Sequence, residues 1–184
     1  MPTPGPRDSG RPPATDFRRA TTADAEALRD LERAANLASL AHVFAPDTFP
    51  YPHEEVLERW RRTLVEAERG VGVGVEVVDT PEGLRAFAAY DDTTLRHLAV
   101  HPDHWGSGLA RAAVDRATVA IAARGAERAV LWCLEVNDRA RGLYAHLGWR
   151  RTGRSRAAQW APYPTEVELF LSLGRTEPER VPWR

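Results

Sequence analysis

Residues 98–110 read Leu-Ala-Val-His-Pro-Asp-His-Trp-Gly-Ser-Gly-Leu-Ala and run directly into an Ala/Val-rich helical pattern. A strand ends, a proline turns the chain, and Gly106 and Gly108 open a helix. Glycine lets the backbone come close to an anion and take conformations that a Cβ disfavours. The first turn of the helix adds unpaired N–H groups and the positive end of its dipole. The segment is therefore suited to hold phosphate. By itself, a glycine loop before a helix is equally compatible with a plain strand–helix connection.

A second segment about thirty residues later, Asn137-Asp-Arg-Ala-Arg-Gly-Leu-Tyr-Ala-His-Leu-Gly-Trp149, removes much of that ambiguity. Together the two resemble the GNAT superfamily of N-acetyltransferases. Its first motif is a strand ending in Val-x-Pro followed by Gln/Arg-Gly-x-Gly-x-Gly/Ala. Here it reads Trp105-Gly106-Ser107-Gly108-Leu109-Ala110. Its second motif is Asn-x-x-Ala-x-x-Leu/Phe-Tyr-x-x-x-Gly-Phe/Trp, matched by Asn137, Ala140, Leu143, Tyr144, Gly148 and Trp149. Trp105 departs from the usual Gln or Arg, which removes a polar side chain but leaves the backbone amides in place.

The resemblance implies a coenzyme site and an activity. Acetyl-CoA would be the acyl donor, and the function that of an N-acetyltransferase acting on a primary amine of a small molecule, peptide or protein terminus. The amides of Trp105 to Ala110, with the Ser107 hydroxyl, would hold the pyrophosphate. Leu98, Ala99 and Val100 would offer strand-like hydrogen bonds to the pantetheine arm. Asn137 would cap a helix and also contact that arm. Tyr144 would be the catalytic acid that protonates the leaving thiolate, since a phenol is protonated at neutral pH. Periodicity alone reads the same Tyr144 as a core residue beside Leu143 and Leu147. The general base stays open. Register puts Thr94, which cannot act as a base, where many family members carry glutamate; Asp91, Asp92 and His97 are near in sequence, and Glu135 lies at the end of the adjacent strand. The alternative function is a non-catalytic acyl-CoA-binding sensor or partner module.

Bulk properties narrow the field further. A chain of 184 residues can bury a sizeable single core, and its net charge of −1 supplies no field for nucleic acid or an anionic membrane. Apolar runs are of strand length, so no membrane span is expected. No charged stretch followed by an apolar one opens the chain, so no secretory signal is expected. Cys133 lies in the apolar run 129–134 and reads as a buried strand residue, which suggests a reducing, cytoplasmic setting. All 25 basic residues are arginines, so lysine-dependent Schiff-base or phosphate-loop chemistry is excluded. His101 and His104 mimic metal spacing without a third ligand nearby, so no metal is expected. A dinucleotide fold is disfavoured because position 111 is Arg rather than a third glycine. A homodimer is left open.

The order of elements is expected to be β-α-α-β-β-β-α-β-α-β-β, an α/β fold with a mixed central sheet flanked by helices. Residues 1–14 read as a disordered leader, 15–174 as the GNAT domain and 175–184 as a C-terminal tail. The first strand spans 16–20, and Thr21 or Thr22 caps a helix with Leu28, Leu31, Ala35 and Ala38 on one face. Pro46, Pro50 and Pro52 break the chain before a second helix, 53–69. That helix buries Val56, Leu57, Trp60 and Leu64, with Glu55/Arg59 and Glu58/Arg62 pairs on its wet side. Strands are expected at 71–80, 84–90, 95–101, 128–135, 149–160 and 165–173, with helices at 109–123 and from Asn137 to Gly148. His42, Phe44, Phe49 and Tyr51 in the helix–helix link, with Trp160 and Tyr163 in the last hairpin, are candidates for an aromatic acceptor pocket. Arg154 and Arg156 near it would favour an acidic acceptor.

Overall fold

The computed structural model describes residues 16–174, so the leader and tail expectations fall outside the described residues. The elements follow the expected order: β1 (Arg18–Arg19), α1 (Ala25–Leu40), α2 (His53–Glu68), β2 (Gly74–Thr80), β3 (Gly83–Tyr90), β4 (Leu95–Val100), α3 (Leu109–Ala123), β5 (Arg128–Leu134), α4 (Asp138–His146), β6 (Arg150–Ala157) and β7 (Thr165–Ser172). Short 3-10 turns at Thr22–Asp24 and Pro102–His104 precede α1 and the glycine loop.

The sheet is in two halves. One is antiparallel in the order β1-β2-β3-β4, the other antiparallel in the order β5-β7-β6. They meet only at a parallel bridge between Thr94 and Val130, where the Val130 N–H donates to the Thr93 carbonyl at 2.8 Å. This parallel contact makes the sheet mixed. Beyond it β4 pairs only with β3 and β5 only with β7, so their facing edges splay apart.

Burial follows the apolar periodicities. Leu28 and Leu31 of α1 pack with Val56, Leu57, Trp60 and Leu64 of α2 against Val75, Val77, Phe87 and Ala99. On the other side of the sheet, Ala113, Val114, Ala117 and Ile121 of α3 join Leu131, Cys133, Tyr144 and Trp149. Fully burying a side chain of the Leu or Phe class stabilises by about 1.5–3 kcal/mol, and the α3 cluster, which joins Ala88, Tyr90 and Leu95 to Ala129, Leu131, Val167 and Leu169, holds the halves together.

Several boundaries differ from the sequence expectation, each for a local reason. β1 is two residues long rather than five, and Arg18 is drawn aside into ion pairs with Asp24 and Asp79, both at 2.8 Å. β2 starts at Gly74 rather than Val71 because the chain is still bonded to the end of α2, the Val71 N–H donating to the Glu66 carbonyl at 3.1 Å. Gly74 itself lies under the Tyr90 ring, where a Cβ would be 2.5 Å from ring carbons. Trp149 is not part of β6. It is a buried residue whose N–H donates to the Tyr144 carbonyl at 3.0 Å. Ala38 is exposed, and Leu40 is buried instead. The Glu58–Arg62 pair forms at 3.8 Å, whereas Arg59 turns away from Glu55 to Glu32 of α1 at 2.6 Å. A carboxylate that also accepts the Trp60 indole N–H at 2.9 Å is the better partner, because it is less exposed to water.

Candidate functional site

Where β4 and β5 splay, the glycine loop and the start of α4 close a cleft of about 410 Å³. Its walls include Leu98, Val100, Trp105, Gly106, Gly108, Leu109, Ala110 and Asn137. Eight of the ten residues singled out from the sequence for coenzyme binding thus surround one cavity. Ala99 and Ser107 do not. Ala99 alternates to the opposite face of β4 and packs with Trp60 and Phe87, as neighbouring strand residues must. The Ser107 hydroxyl donates to the His104 carbonyl at 2.6 Å, which ties it into the turn.

The loop geometry explains its two glycines. Gly106 has φ +79° and Gly108 φ +85°, both left-handed, and a Cβ at either position would meet nothing within 4 Å. They are needed for backbone conformation, and they leave open space in front of the amides. The Ala112 N–H makes the first helical bond, to the Gly108 carbonyl at 3.0 Å. Among the described residues no hydrogen bond engages the N–H groups of Gly106, Gly108, Leu109, Ala110 or Arg111. These donors and the helix dipole make the rim of the cleft an anion-binding surface.

Trp105 has a defined role in this rim. Its indole N–H donates to the Val100 carbonyl at 2.8 Å and folds the loop back over the end of β4. The Arg139 guanidinium lies 3.8 Å from the Trp105 ring centroid and also lines the cleft. Arg139 went unnoticed in the sequence because the second motif leaves its position open. Only the contact with Trp105 identifies it. Asn137 caps α4, its Oδ1 accepting the Ala140 N–H at 3.1 Å, while its side chain borders the cleft.

Tyr144 lies in the core cluster rather than on the cleft wall, with its ring 5.8 Å from that of Trp149. Among the described residues its hydroxyl makes no hydrogen bond. Burial, and secondarily the nearby Cys133, raise its pKa above the ordinary phenol value, so the proton is firmly held. Burial also pushes the Cys133 thiol up to about 11, which keeps it from being a thiolate nucleophile.

The candidates for a base separate in space. Thr94 sits at the bridge between the half-sheets, and Asp91 accepts its N–H at 2.8 Å. Asp92 pairs with Arg124 at 3.1 Å and Glu135 with Arg151 at 2.6 Å. His97 faces away from Leu98 and toward Trp60, with ring centroids 5.6 Å apart. Burial, helped by the Arg59 and Arg96 charges, lowers its pKa to about 3, so it is neutral but a feeble base. His101 contacts Asp103 at 3.5 Å, and among the described residues no group of three His, Cys, Asp or Glu could hold a metal.

A second cavity of about 400 Å³ opens between the α1–α2 link and the β6–β7 hairpin. Phe44, Phe49, Tyr51 and Trp160 all line it, as expected. His42 instead borders a smaller groove with Trp105 and Arg139, and Tyr163 is 62% exposed with φ +59°. The arginines expected to attract an acidic acceptor are committed elsewhere. Arg154 pairs with Glu168 at 2.9 Å and Arg156 with Glu166 at 2.7 Å, and both lie over the Trp132 ring.

Comparison with known proteins converges on one family. The family model described as Acetyltransferase (GNAT) family matches residues 26–149, more than half of the chain. Among solved structures, PaiA N-acetyltransferase from Thermoplasma acidophilum in complex with coenzyme A is 12% identical with a TM-score of 0.74, covering 86% of this chain and 98% of that one. The structure of yncA from Salmonella typhimurium with its cofactor acetyl-CoA is 20% identical with a TM-score of 0.63, covering 91% and 98%. The ribosomal-protein-S18-alanine N-acetyltransferase from Escherichia coli is 20% identical with a TM-score of 0.62, covering 91% and 99%. At such identities the likeness is one of fold. No curated protein sequence matches the chain.

Proposed function

Because this chain belongs to the acetyltransferase (GNAT) family, we propose that it transfers an acetyl group from acetyl-CoA to a primary amine. The observation that carries this reading is the convergence of eight motif residues on one cleft whose rim presents unpaired amides. The pyrophosphate would sit against the amides of Gly106 and of Gly108 to Arg111, with the Arg139 charge beside it, since the Trp105 and Ser107 N–H groups donate to the Pro102 and His104 carbonyls. The pantetheine arm would enter the splay and use the free edge of β4 at Leu98 and Val100, whose carbonyl the Trp105 indole already engages, with the Asn137 side chain beside it. Ala99 would contribute neither side chain nor backbone, since its methyl faces the other way and its backbone groups, in step with the His101 N–H that donates to the Arg85 carbonyl, are turned toward β3.

Acetyl transfer needs a neutral amine, an attack on the thioester carbonyl and a proton for the leaving thiolate. In our reading Tyr144 supplies that proton or a hydrogen bond to the sulfur. Its support is an unpaired hydroxyl, held protonated by burial, on the helix that Asn137 caps. With His97 lowered to about 3 and Glu135 and Asp92 tied in ion pairs, the amine would lose its proton to water. The acceptor would approach through the aromatic cavity. The lone buried cysteine fits a reducing, cytoplasmic compartment, and among the described residues no helix is long and apolar enough to cross a membrane.

A binding-only module is the second reading, favoured by Thr94 in the place of the family's glutamate. Acetyl-CoA turnover over an amine panel, followed by thiol release, separates the two. Amine-dependent release supports the transferase. Tight acetyl-CoA binding without release on any amine overturns it in favour of the sensor.

A further inference from the structure

The cavity between the α1–α2 link and the β6–β7 hairpin has a chemistry that narrows the acceptor. Its walls are aromatic and aliphatic: Leu37, Phe44, Phe49, Tyr51 and Trp160. Pro46, Pro50 and Pro52 keep the link out of a helix, and Phe44, Phe49 and Tyr51 along it line the cavity, Tyr51 also packing against the α1–α2 core. Phe44, Phe49 and Trp160 are left only half-buried inside a concavity. Half-buried rings gain further burial when an apolar body enters. A volume of about 400 Å³ falls within the range of small-molecule sites.

Charge supplies the second half of the argument. The chain is rich in arginine, yet among the described residues none lines this cavity. Among the described residues Glu55 is the one charged residue on its wall. In the adjoining groove Arg59 is taken by Glu32 at 2.6 Å and Arg62 by Glu58 at 3.8 Å. Glu54 and Glu55 make no ion pair among the described residues. Their place in the first turn of α2 suits the helix dipole and accounts for their presence there. It does not account for aromatic walls with no cation among them. Ring faces and a carboxylate together attract an ammonium group and repel a carboxylate.

We infer that the acceptor is an arylalkylamine or a similar apolar amine, seated in this cavity with its ammonium toward Glu55 before it is deprotonated and acetylated. The inference rests on the acetyltransferase reading for its chemistry, but the cavity can be tested apart from it. Acetyl transfer balances simply: the amine nitrogen bonds to the acetyl carbon, the C–S bond breaks, and the amine's proton is lost as the thiolate gains one.

Steady-state acetylation would be measured with 2-phenylethylamine, ethylamine, spermidine, L-glutamate and a phenylalanyl peptide. The expected result is the highest kcat/KM for 2-phenylethylamine, at least about tenfold above ethylamine, with L-glutamate lowest. Trp160→Ala should lower kcat/KM for 2-phenylethylamine about tenfold, mainly through KM, and Glu55→Gln about fivefold, while both leave the acetyl-CoA Kd unchanged. Phe49→Ala is a second wall variant if Trp160→Ala loses its folded circular dichroism. Preference for spermidine, L-glutamate or the peptide overturns the assignment, as does indifference to the wall variants. Should acetyl-CoA not bind at all, the transferase reading fails by itself. Calorimetric titration of 2-phenylethylamine then decides the cavity: binding weakened by Trp160→Ala supports it, and no binding overturns it.

Discussion

The two cavities are nearly equal in size, about 400 and 410 Å³, and opposite in construction. The cleft at the splay is built largely from backbone. Its rim presents the unengaged amides of Gly106 and of Gly108 to Arg111, and Trp105 closes it by bonding back to Val100. The aromatic cavity is built from side chains brought together from α1, the link, α2 and a hairpin more than a hundred residues further on. A backbone site tolerates most side-chain changes and fails when φ or charge is altered. A side-chain site fails on truncation and is indifferent to backbone charge. If the cleft holds the donor and the aromatic cavity the acceptor, as proposed, the two recognitions can change independently.

The largest effect should come from placing charge at the backbone rim. Gly108→Glu puts a carboxylate where phosphate is proposed to sit, and acetyl-CoA affinity should fall at least about a hundredfold. Gly108→Ala is the matched control. Its Cβ meets nothing within 4 Å, so affinity should largely survive while φ +85° costs about 1–2 kcal/mol of stability. A coenzyme titration beside thermal denaturation checks both. Equal affinity in both variants and wild type would make the loop a plain connector and end the comparison.

Tyr144→Phe tests the proposed proton donor. The ring stays, and the hydroxyl has no partner to lose, so stability and acetyl-CoA Kd should change little. If the phenol acts in the transition state, kcat and kcat/KM should fall together by about a hundredfold. Because burial raises its pKa, the wild-type rate should show no alkaline loss from Tyr144 below the ordinary phenol value of about 10. Wild-type turnover in the variant would return Tyr144 to a packing role.

Acetyl-CoA at 100 times its Kd should stabilise the protein by about 2.7 kcal/mol. NAD and ATP should not. Differential thermal denaturation with the three ligands reads this, and a shift with NAD or ATP alone would assign the cleft to another chemistry.

The smallest effect over the interval measured, pH 7.0 to 5.0, concerns acid stability. His97 has its folded pKa lowered to about 3 from 6.5, so the unfolded chain binds more protons between those values. Stability is therefore full above about pH 6.5 and falls as pH drops toward 3, by up to about 1.4 kcal/mol per pH unit. His97→Phe keeps a ring against Trp60 and should flatten that slope. Urea denaturation at pH 7.0 and 5.0 measures it, and an unchanged slope would assign the acid sensitivity to other groups.

What could be read from the chain alone has a common character. The order of elements, the Asn137 cap, the stripe Val56, Leu57, Trp60 and Leu64, and the glycine loop all depend on residues within a few positions of one another. Local backbone preference and apolar periodicity write such features directly into sequence. Tertiary structure decided the rest. It turned Arg59 from Glu55 to Glu32, took Arg154 and Arg156 from the acceptor region to Glu168 and Glu166, placed Arg139 on Trp105, and left His42 and Tyr163 outside the aromatic cavity. Those outcomes depend on which side chains meet across the folded chain, and a long, flexible side chain takes the partner least exposed to water, wherever in the sequence that partner lies.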